Sequence, residues 1–292
     1  MYLNFFHFTD EPFKITPDPK FFFLSRQHEE VLEALLYGIN QRKGFMALIG
    51  DIGTGKTTVC RALLNRLDKS IDTSVILNPM LSVQELLEAI NDDFGNRSVV
   101  KDTVKGQMDA LYDFMIRRLR FRKNAVVIID EAQHLSVEAM EMLRMLSNLE
   151  REDKKLMQIV FLGQRELESK LISPELRQLN QRIGIRYFLG PLSHKETYEY
   201  IIHRLNLAGG AGFVQFEEKA LARIYRYSQG VPRVINILCD RALLETFASK
   251  GRLVTAMIVE HAHDDIEGRL NPSAMSMIGG RKKAWEFWKW FN

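Results

Sequence analysis

Short apolar runs recur along residues 44–190, and stretches with apolar residues at helical spacing separate them. The run at 125–129 is continuously apolar and mostly β-branched, which is typical of a parallel strand buried on both faces. The alternation of strands and helices predicts an α/β domain with a parallel five-stranded sheet flanked by helices. The five predicted strands are residues 44–49, 73–77, 125–129, 157–162 and 185–189.

The pattern changes to helices alone after a Gly-Pro break at residues 190–191. Ser193 and Glu196 have the spacing of a capping box, which predicts a helix beginning there. We therefore expect the α/β domain to span residues 44–190 and a small all-α lid domain to span residues 191–267. The other predicted lid helices cover residues 217–228, 232–249 and 255–267.

Segments without this regular pattern stand at both ends of the chain. Residues 1–43 combine an aromatic, proline-punctuated stretch with one helix, and we expect them to pack on the α/β core. Residues 268–280 lose periodicity and are predicted to form a flexible linker. Residues 281–292 hold all three tryptophans beside basic residues, which suits a membrane interface or a groove on a partner protein. Two alternatives stay open for this tail: it folds back on its own domain, or it is the start of a longer anchor.

Composition limits the classes of function. Of the 292 residues, 46% are hydrophobic and 26% are charged, as expected for a folded domain. The net charge of +3, from 40 Lys and Arg against 37 Asp and Glu, is too small to indicate nucleic-acid binding. The basic run at 117–123 either grips a phosphate backbone or reflects the preference of cations for a helix C-terminus.

The sequence shows no targeting signal, and its two cysteines are typical of a reducing compartment. No apolar stretch approaches about 18 residues, and the N-terminus lacks the pattern of a signal peptide. Cys60 and Cys239 have no Cys or His at metal-binding spacing, so we expect reduced, buried thiols. The sequence therefore predicts a cytoplasmic protein.

The residue order G-x-x-x-x-G-K-T begins at Gly50, between a predicted strand and a predicted helix. Its glycines let backbone N–H groups approach phosphate oxygens, and the dipole of the following helix favours the same anion. In this P-loop pattern Lys56 reaches the β and γ phosphates, and the Thr57 hydroxyl ligates Mg²⁺. The predicted residues for ATP and Mg²⁺ are Gly50, Asp51, Ile52, Gly53, Thr54, Gly55, Lys56, Thr57 and Thr58.

Acidic and amide side chains follow two further predicted strands. Asp130 and Glu131 come directly after the strand at 125–129, and Gln164 follows the strand at 157–162. Open α/β sheets bind ligands at the carboxyl ends of their strands, so we expect these side chains beside the phosphates. Asp130 suits the Mg²⁺ shell, and Glu131 suits the polarisation of an attacking water. The Gln164 amide is able to orient a water or to contact the γ-phosphate, and capping of a turn is the alternative.

With these motifs in place, the chain resembles the AAA+ ATPases of the general secretion pathway protein A type. Within that type it is most similar to the short accessory ATPases of MSHA-type pilus systems. The resemblance covers about residues 1–267. It rests on the P-loop and on Tyr2-Leu3, Pro12-Phe13, Thr16-Pro17-Asp18, Ile129-Asp130-Glu131-Ala132-Gln133, Gly163-Gln164, Glu166-Leu167, Leu176-Arg177-Gln178-Leu179, Gln181-Arg182-Ile183, Gly230-Val231-Pro232-Arg233 and Ile235-Asn236.

The resemblance implies roles for individual residues. The sensor 1 position of the family falls on Gln164, where AAA+ proteins at large usually carry Asn. Its sensor 2 arginine falls on Arg233, so Pro232 and Arg233 join the residues expected to bind the nucleotide. The catalytic residues implied in this way, together with those of the motifs above, are Lys56, Glu131, Gln164, Arg182 and Arg233.

Arg182 corresponds to the arginine finger that acts on a neighbouring subunit, and Arg177 and Arg186 are its rivals. Because an arginine finger acts on a neighbouring subunit, the resemblance implies a homo-oligomer, and a ring is one possible arrangement. The expected function is ATP hydrolysis that drives assembly or remodelling of a membrane-associated pilus or secretion machine. The expected location is peripheral to the inner membrane, with residues 281–292 contacting the membrane or a component of the machine.

Two alternatives stay open. The ATPases that regulate transposition and associate with DNA share much of this motif set, which makes nucleic acid the less favoured partner. A nucleotide-binding scaffold whose turnover is incidental is the second alternative.

Overall fold

The computed structural model describes residues 2–16, 18–96, 103–121, 123–147, 150–151, 154–210 and 212–268. These residues form two compact units. The sheet unit comprises the described residues of Ile15–His203 and Val231–Arg233. The helical unit comprises those of Met1–Lys14, Arg204–Gly230 and Val234–Asn292. Apart from Gly268, the predicted linker at 268–280 lies outside the described residues, as does the predicted tail at 281–292.

Strands and helices alternate in the sheet unit, as the hydrophobic pattern predicts. The short helix α1 (Tyr2–Phe5) precedes this unit in the chain. The elements that follow are α2 (Arg26–Asn40), β1 (Phe45–Gly50), α3 (Lys56–Arg66), β2 (Ile71–Ile76), α4 (Val83–Asp93), α5 (Val104–Arg120), β3 (Asn124–Ile129), α6 (Val137–Ser147), β4 (Glu150–Arg151), β5 (Lys154–Lys155), β6 (Gln158–Gly163), α7 (Arg165–Ile172), α8 (Arg177–Asn180) and β7 (Ile183–Leu189). Short 3-10 turns lie at Pro19–Phe21, Ala132–His134 and Pro174–Leu176.

Five of these strands form a parallel sheet in the spatial order β2-β3-β6-β1-β7, which confirms the predicted fold class. Ile49 of β1 lies opposite Gly163 of β6, and Ile129 of β3 lies opposite Phe161 of β6. Because these registers are closely matched, the residues that follow β1, β3 and β6 leave the sheet at one edge. The P-loop, Asp130 and Gln164 therefore start from the same edge.

Helices cover both faces of the sheet, because successive side chains of a strand point to opposite faces. Ile129 packs in a cluster with residues of α4, α5 and α6, whereas Ile128 packs on the other face with α2 and α3. Every residue of β1, β3 and β6 is buried. This two-sided burial explains the unbroken apolar runs, and it fixes the strand ends that carry the predicted site.

The helical unit is built from the C-terminal part of the chain and its first residues. Helix α9 (His194–Leu207) contributes to both units, so the division lies further along the chain than the boundary predicted after residue 190. Ser193 and Glu196 form the predicted capping box at its start. The remaining elements are β8 (Gln215–Phe216), α10 (Glu218–Ser228), α11 (Pro232–Ala248), β9 (Leu253–Val254) and α12 (Ala256–Ile266).

The first residues of the chain correct the predicted arrangement. We expected residues 1–43 to pack on the α/β core, but residues 2–14 belong to the helical unit. The Tyr2 hydroxyl donates a hydrogen bond of 2.8 Å to Asp240 Oδ1 in α11, and the ring of Phe6 is fully buried. The physical reason is that these aromatic side chains lose water-exposed apolar surface by packing within the helical unit, where the Phe5 ring centroid lies 5.3 Å from that of Phe247 in α11.

Replacing Phe6 by Ala tests this packing. Phe6 is 0% exposed, and truncation of a buried Phe costs about 3–5 kcal/mol. We expect the free energy of unfolding, measured by urea denaturation, to fall by about that amount, and hydrogen exchange to quicken in the helical unit. Phe121→Ala is the matched control, because Phe121 is 75% exposed and its truncation should cost less than about 0.5 kcal/mol. Equal losses in the two variants would contradict the packing of residues 2–14.

Candidate functional site

The backbone between β1 and α3 forms the loop that is predicted to bind phosphate. Gly55 is the N-cap of α3, with a left-handed φ of 107°, and it provides no side chain to bond the N–H groups of the first turn. The first N–H groups of a helix have no partner within the helix, and its dipole adds positive charge at this end. The geometry therefore fits the phosphates of a nucleotide, as the P-loop pattern predicts.

Lys56 lies inside this loop and is only 6% exposed. Its Nζ donates hydrogen bonds to the carbonyl oxygens of Gly50, at 2.8 Å, and Asp51, at 3.0 Å. Burial lowers the pKa of the ammonium group, and the charges of Glu131 and Asp130 oppose that shift. The structure thus holds a cation against the loop that is predicted to bind phosphate.

Thr57 and Asp130, the two predicted metal ligands, are in direct contact. The Thr57 hydroxyl donates to Asp130 Oδ2 at 2.8 Å, and Asp130 is 5% exposed. In the part of the chain that the structure describes, no group of three or more His, Cys, Asp or Glu side chains is placed to hold a metal. Hydroxyl and carboxylate oxygens suit Mg²⁺, which takes few protein ligands and completes its shell with water and substrate phosphates. The pair therefore fits Mg²⁺ bound together with a nucleotide.

Glu131 lies beside this pair in an unusual backbone conformation, with a φ of 51°. Its Oε2 accepts hydrogen bonds from two side-chain amides, Gln133 Nε2 at 2.6 Å and Gln164 Nε2 at 3.0 Å. Burial alone would raise the pKa of Glu131, but these two hydrogen bonds and the charge of Lys56 lower it overall. The carboxylate is thus kept ionised, as a group that accepts a proton must be.

Arg233 is placed against the P-loop. Its backbone N–H donates to the Gly53 carbonyl oxygen at 3.3 Å. An ideal Cβ on Gly53 would lie 2.7 Å from Arg233 Cβ, so the close approach requires glycine. Pro232 is the first residue of α11, where its missing N–H has no cost. The structure therefore brings these two predicted residues to the loop that holds Lys56.

The three arginines considered for the finger role lie elsewhere in the sheet unit. Arg182 is half-buried in the turn between α8 and β7, and Arg177 is exposed at the start of α8. Arg186 is exposed on β7 and donates a hydrogen bond to Asn180. Across the described ranges, none of the three bonds to the P-loop, Asp130, Glu131 or Gln164. Within one chain, these arginines are therefore not among the residues that the structure brings to the predicted nucleotide site.

His28 supports the P-loop, and the sequence analysis did not identify it. Its ring is 4% exposed, its Nδ1 lies 2.5 Å from Ser25 Oγ, and it hydrogen-bonds to the Thr54 backbone. Burial lowers the pKa of this imidazole, which favours the neutral ring. The available signal was its position in the first turn of α2, three residues after the capping Ser25. That position alone says nothing about a partner in another element.

An ion pair that the sequence analysis also missed joins the P-loop to α7. Arg165 Nε donates to Asp51 Oδ1 at 2.8 Å and Nη2 donates to Oδ2 at 3.1 Å, while the guanidinium lies 4.8 Å from the Phe188 ring centroid. Both charged side chains are largely exposed, so the pair contributes little to stability. Its fork geometry instead fixes the direction of the Asp51 side chain in the loop.

Known proteins share this architecture and sequence. A family model described as an AAA domain matches residues 39–171. The general secretion pathway protein A of Aeromonas hydrophila is 45% identical to the chain over 248 residues. The match covers 85% of this chain and 45% of that protein, so the chain spans less than half the length of this relative.

Solved structures with the same fold are more distant in sequence. The Aeropyrum pernix ORC2 protein, in ADPNP-ADP complexes, has a TM-score of 0.66 at 18% identity, covering 94% of this chain and 76% of that one. The Thermotoga maritima RuvB Holliday junction branch migration motor has a TM-score of 0.56 at 22% identity, covering 84% and 71% respectively. The expected resemblance is confirmed by the secretion relative and the domain match. The chain belongs to the AAA ATPases and is a relative of general secretion pathway protein A.

Proposed function

We propose that this ATPase binds ATP with Mg²⁺ at the P-loop and hydrolyses it at a subunit interface to drive work on a membrane-associated pilus or secretion machine. The observation that carries the enzymatic part is the 2.8 Å contact between Thr57 and Asp130. This contact joins the helix of the P-loop to the end of β3, and it stands next to a buried lysine and an ionised glutamate.

The residues of the loop bind and orient the nucleotide. Backbone N–H groups at the start of α3 and the Lys56 ammonium neutralise phosphate charge, with Gly50, Asp51, Ile52, Gly53, Thr54, Gly55 and Thr58 shaping the loop. Thr57 and Asp130 supply oxygen ligands to Mg²⁺. When bound, the metal neutralises charge that develops on the transferred phosphoryl group.

Glu131 and Gln164 act on the attacking water. The Glu131 carboxylate accepts a proton from the water, and its lowered pKa keeps it in the accepting form at neutral pH. Gln164 lies at the N-cap of α7 and does not cap that helix with its side chain. Its amide is instead bonded to Glu131, which supports a role in the reaction over the alternative of a turn cap.

A second copy of the chain completes the site. Arg182 provides the finger that stabilises transition-state charge in its neighbour, and Arg233 senses the γ-phosphate within its own chain. Among the described residues, Arg182 makes no bond to the P-loop, Asp130 or Glu131 of its own chain, and this supports action in another subunit. Self-association is therefore required for full turnover, and a ring is the arrangement we favour.

The biological role rests on the secretion relative. The chain spans 45% of that protein, so its activity and partners are proposed here for the matched part only. Among the described helices, none combines the length and apolar character that crossing a bilayer requires. We place the enzyme in the cytoplasm, at the inner face of the membrane, with residues 281–292 binding the membrane or a component of the machine.

A DNA-associated role is the alternative, and likeness of fold to a branch migration motor is what favours it. The basic end of α5 gives it little support. Arg118 is paired with Asp72 at 2.7 Å, and Arg117 donates to Asn96 at 3.2 Å. These partners explain two of the cations without nucleic acid.

Glu131→Gln should separate ATP binding from hydrolysis. The amide cannot accept a proton, so we expect kcat to fall by about 10²–10⁴-fold while the affinity for ATP stays within about threefold. Calorimetry measures the affinity, and phosphate release measures the turnover. Lys56→Ala serves as the contrasting variant, because it should lose ATP binding itself. Turnover at the wild-type rate in Glu131→Gln would remove this residue from the reaction.

Arg182→Ala should lower kcat by about 10³-fold or more, because an arginine finger contributes about 10³–10⁵ in rate. Activity should partly return when this variant is mixed with Lys56→Ala, which provides a finger but binds no ATP. Analytical ultracentrifugation verifies that oligomers are intact. A lack of rescue by intact oligomers would favour a role within the same subunit, and the same experiment on Arg177→Ala and Arg186→Ala compares the rivals.

Deletion of residues 281–292 should abolish binding to vesicles that contain anionic lipid, while ATPase turnover stays unchanged. Co-sedimentation with phosphatidylglycerol vesicles measures the binding. Duplex DNA is tested in parallel over a range of salt concentrations. Binding to DNA that falls steeply with salt, together with unaltered vesicle binding by the deletion variant, would favour the DNA-associated role instead.

A further inference from the structure

Gln133 bridges the two residues that are proposed to act on water, Glu131 and Gln164. Its Nε2 donates to Glu131 Oε2 at 2.6 Å, and its Oε1 accepts the backbone N–H of Gln164 at 3.2 Å. The side-chain amide of Gln133 thus donates to the Glu131 carboxylate and accepts from the backbone at the start of α7. This arrangement uses both ends of the amide, which only Asn or Gln provides.

We propose that Gln133 is a positioning residue that selects which oxygen of Glu131 acts as the base. The proposal rests on the proposed ATPase function. Both amides, of Gln133 and Gln164, donate to Oε2. Within the described part of the chain, Oε1 accepts no hydrogen bond. The bridge therefore holds Oε2 and leaves Oε1 as the oxygen that faces a water.

The backbone around Glu131 shows why such a bridge is needed. Glu131 leaves β3 in the left-handed region, with a φ of 51°, so the regular strand no longer sets the direction of its side chain. Gln133 lies in the following 3-10 turn, Ala132–His134. Lys170 of α7 donates to the Gln133 carbonyl oxygen at 3.2 Å and also to that of Leu135. The residue that orients Glu131 is thus itself fixed through its backbone.

The end of β6 leaves room for the bridge. An ideal Cβ on Gly163 would lie 3.0 Å from Gln133 Oε1 and 2.6 Å from Leu167 Cδ2. A side chain at this position would clash first with Leu167, and the Gln133 amide would also have to shift by a few tenths of an ångström. Glycine at the end of β6 therefore leaves the space that the bridge occupies.

Gln133→Leu removes both hydrogen bonds while keeping the approximate size of the side chain. We expect kcat to fall by about 10- to 100-fold, with KM for ATP within about twofold, because the base is misdirected but the phosphate site is intact. Gln215→Leu is the control, since Gln215 is exposed on β8 and should behave as the wild type. An unchanged kcat, with or without a raised KM, would overturn the proposal.

Gln133→Glu separates the two ends of the bridge. It keeps an acceptor for the Gln164 N–H but replaces the donor to Glu131 with a like charge. The proposal requires a kcat below that of the wild type, with KM for ATP within about twofold. Equal kcat values for Gln133→Glu and the wild type would refute it, because the donor end would then have no effect on the base.

Carboxyl NMR of nucleotide-free protein labelled with ¹³C-glutamate distinguishes this inference from the proposed function. Glu131→Gln identifies the Glu131 signal by its loss, and urea unfolding confirms that each variant is folded. The Glu131 carboxyl signal at neutral pH should shift in Gln133→Leu relative to the wild type, because its Oε2 loses the hydrogen bond from Gln133, even if the wild type fails to hydrolyse ATP. An unshifted signal in a folded, ATP-hydrolysing variant would refute the bridge and leave the ATPase assignment standing.

Discussion

The matched register of three parallel strands is the constraint on which the site depends. Because β1, β3 and β6 are paired in register, they end at one edge of the sheet, and the residues after them converge without long loops. A slip of β3 by one residue would turn every side chain of that strand to the opposite face and separate Asp130 from Thr57. The buried strands resist such a slip, since apolar side chains on both faces would all lose their places. The register that packs the core is therefore also the register that positions the residues of the site.

Much of this arrangement was predictable because it follows from periodicity and local chemistry. Five apolar runs gave the five strands of the main sheet, although β2 and β7 begin earlier than predicted. The P-loop pattern named Lys56 and Thr57, and a strand ending in two carboxylates named Asp130 and Glu131. The parallel fold class then implied their convergence, which the structure describes in detail. Spacing along the sequence was enough to predict which residues converge wherever the sheet topology itself brings them together.

Contacts between distant segments were not predictable in the same way. The packing of residues 2–14 in the helical unit depends on which apolar surface is left uncovered, and composition alone does not say which. The short pairs β4–β5 and β8–β9 were missed because two residues are too few to show a period. Gln133 belongs to the motif Ile129-Asp130-Glu131-Ala132-Gln133, but its contacts with Glu131 and Gln164 depend on the direction of its side-chain amide. His28 and Arg165 likewise act through partners that no spacing rule connects to them.

The position of Lys56 has a consequence for how a ligand enters. Its ammonium is already bonded to the Gly50 and Asp51 carbonyl oxygens, so the cation is solvated by the protein itself rather than by water. The phosphate oxygens that we propose to bind here would replace these internal acceptors, so the net enthalpy of binding would be the difference between two sets of bonds. An anion with too few oxygens would then gain less than the lysine gives up, and the exchange would favour ligands that offer several oxygens at once.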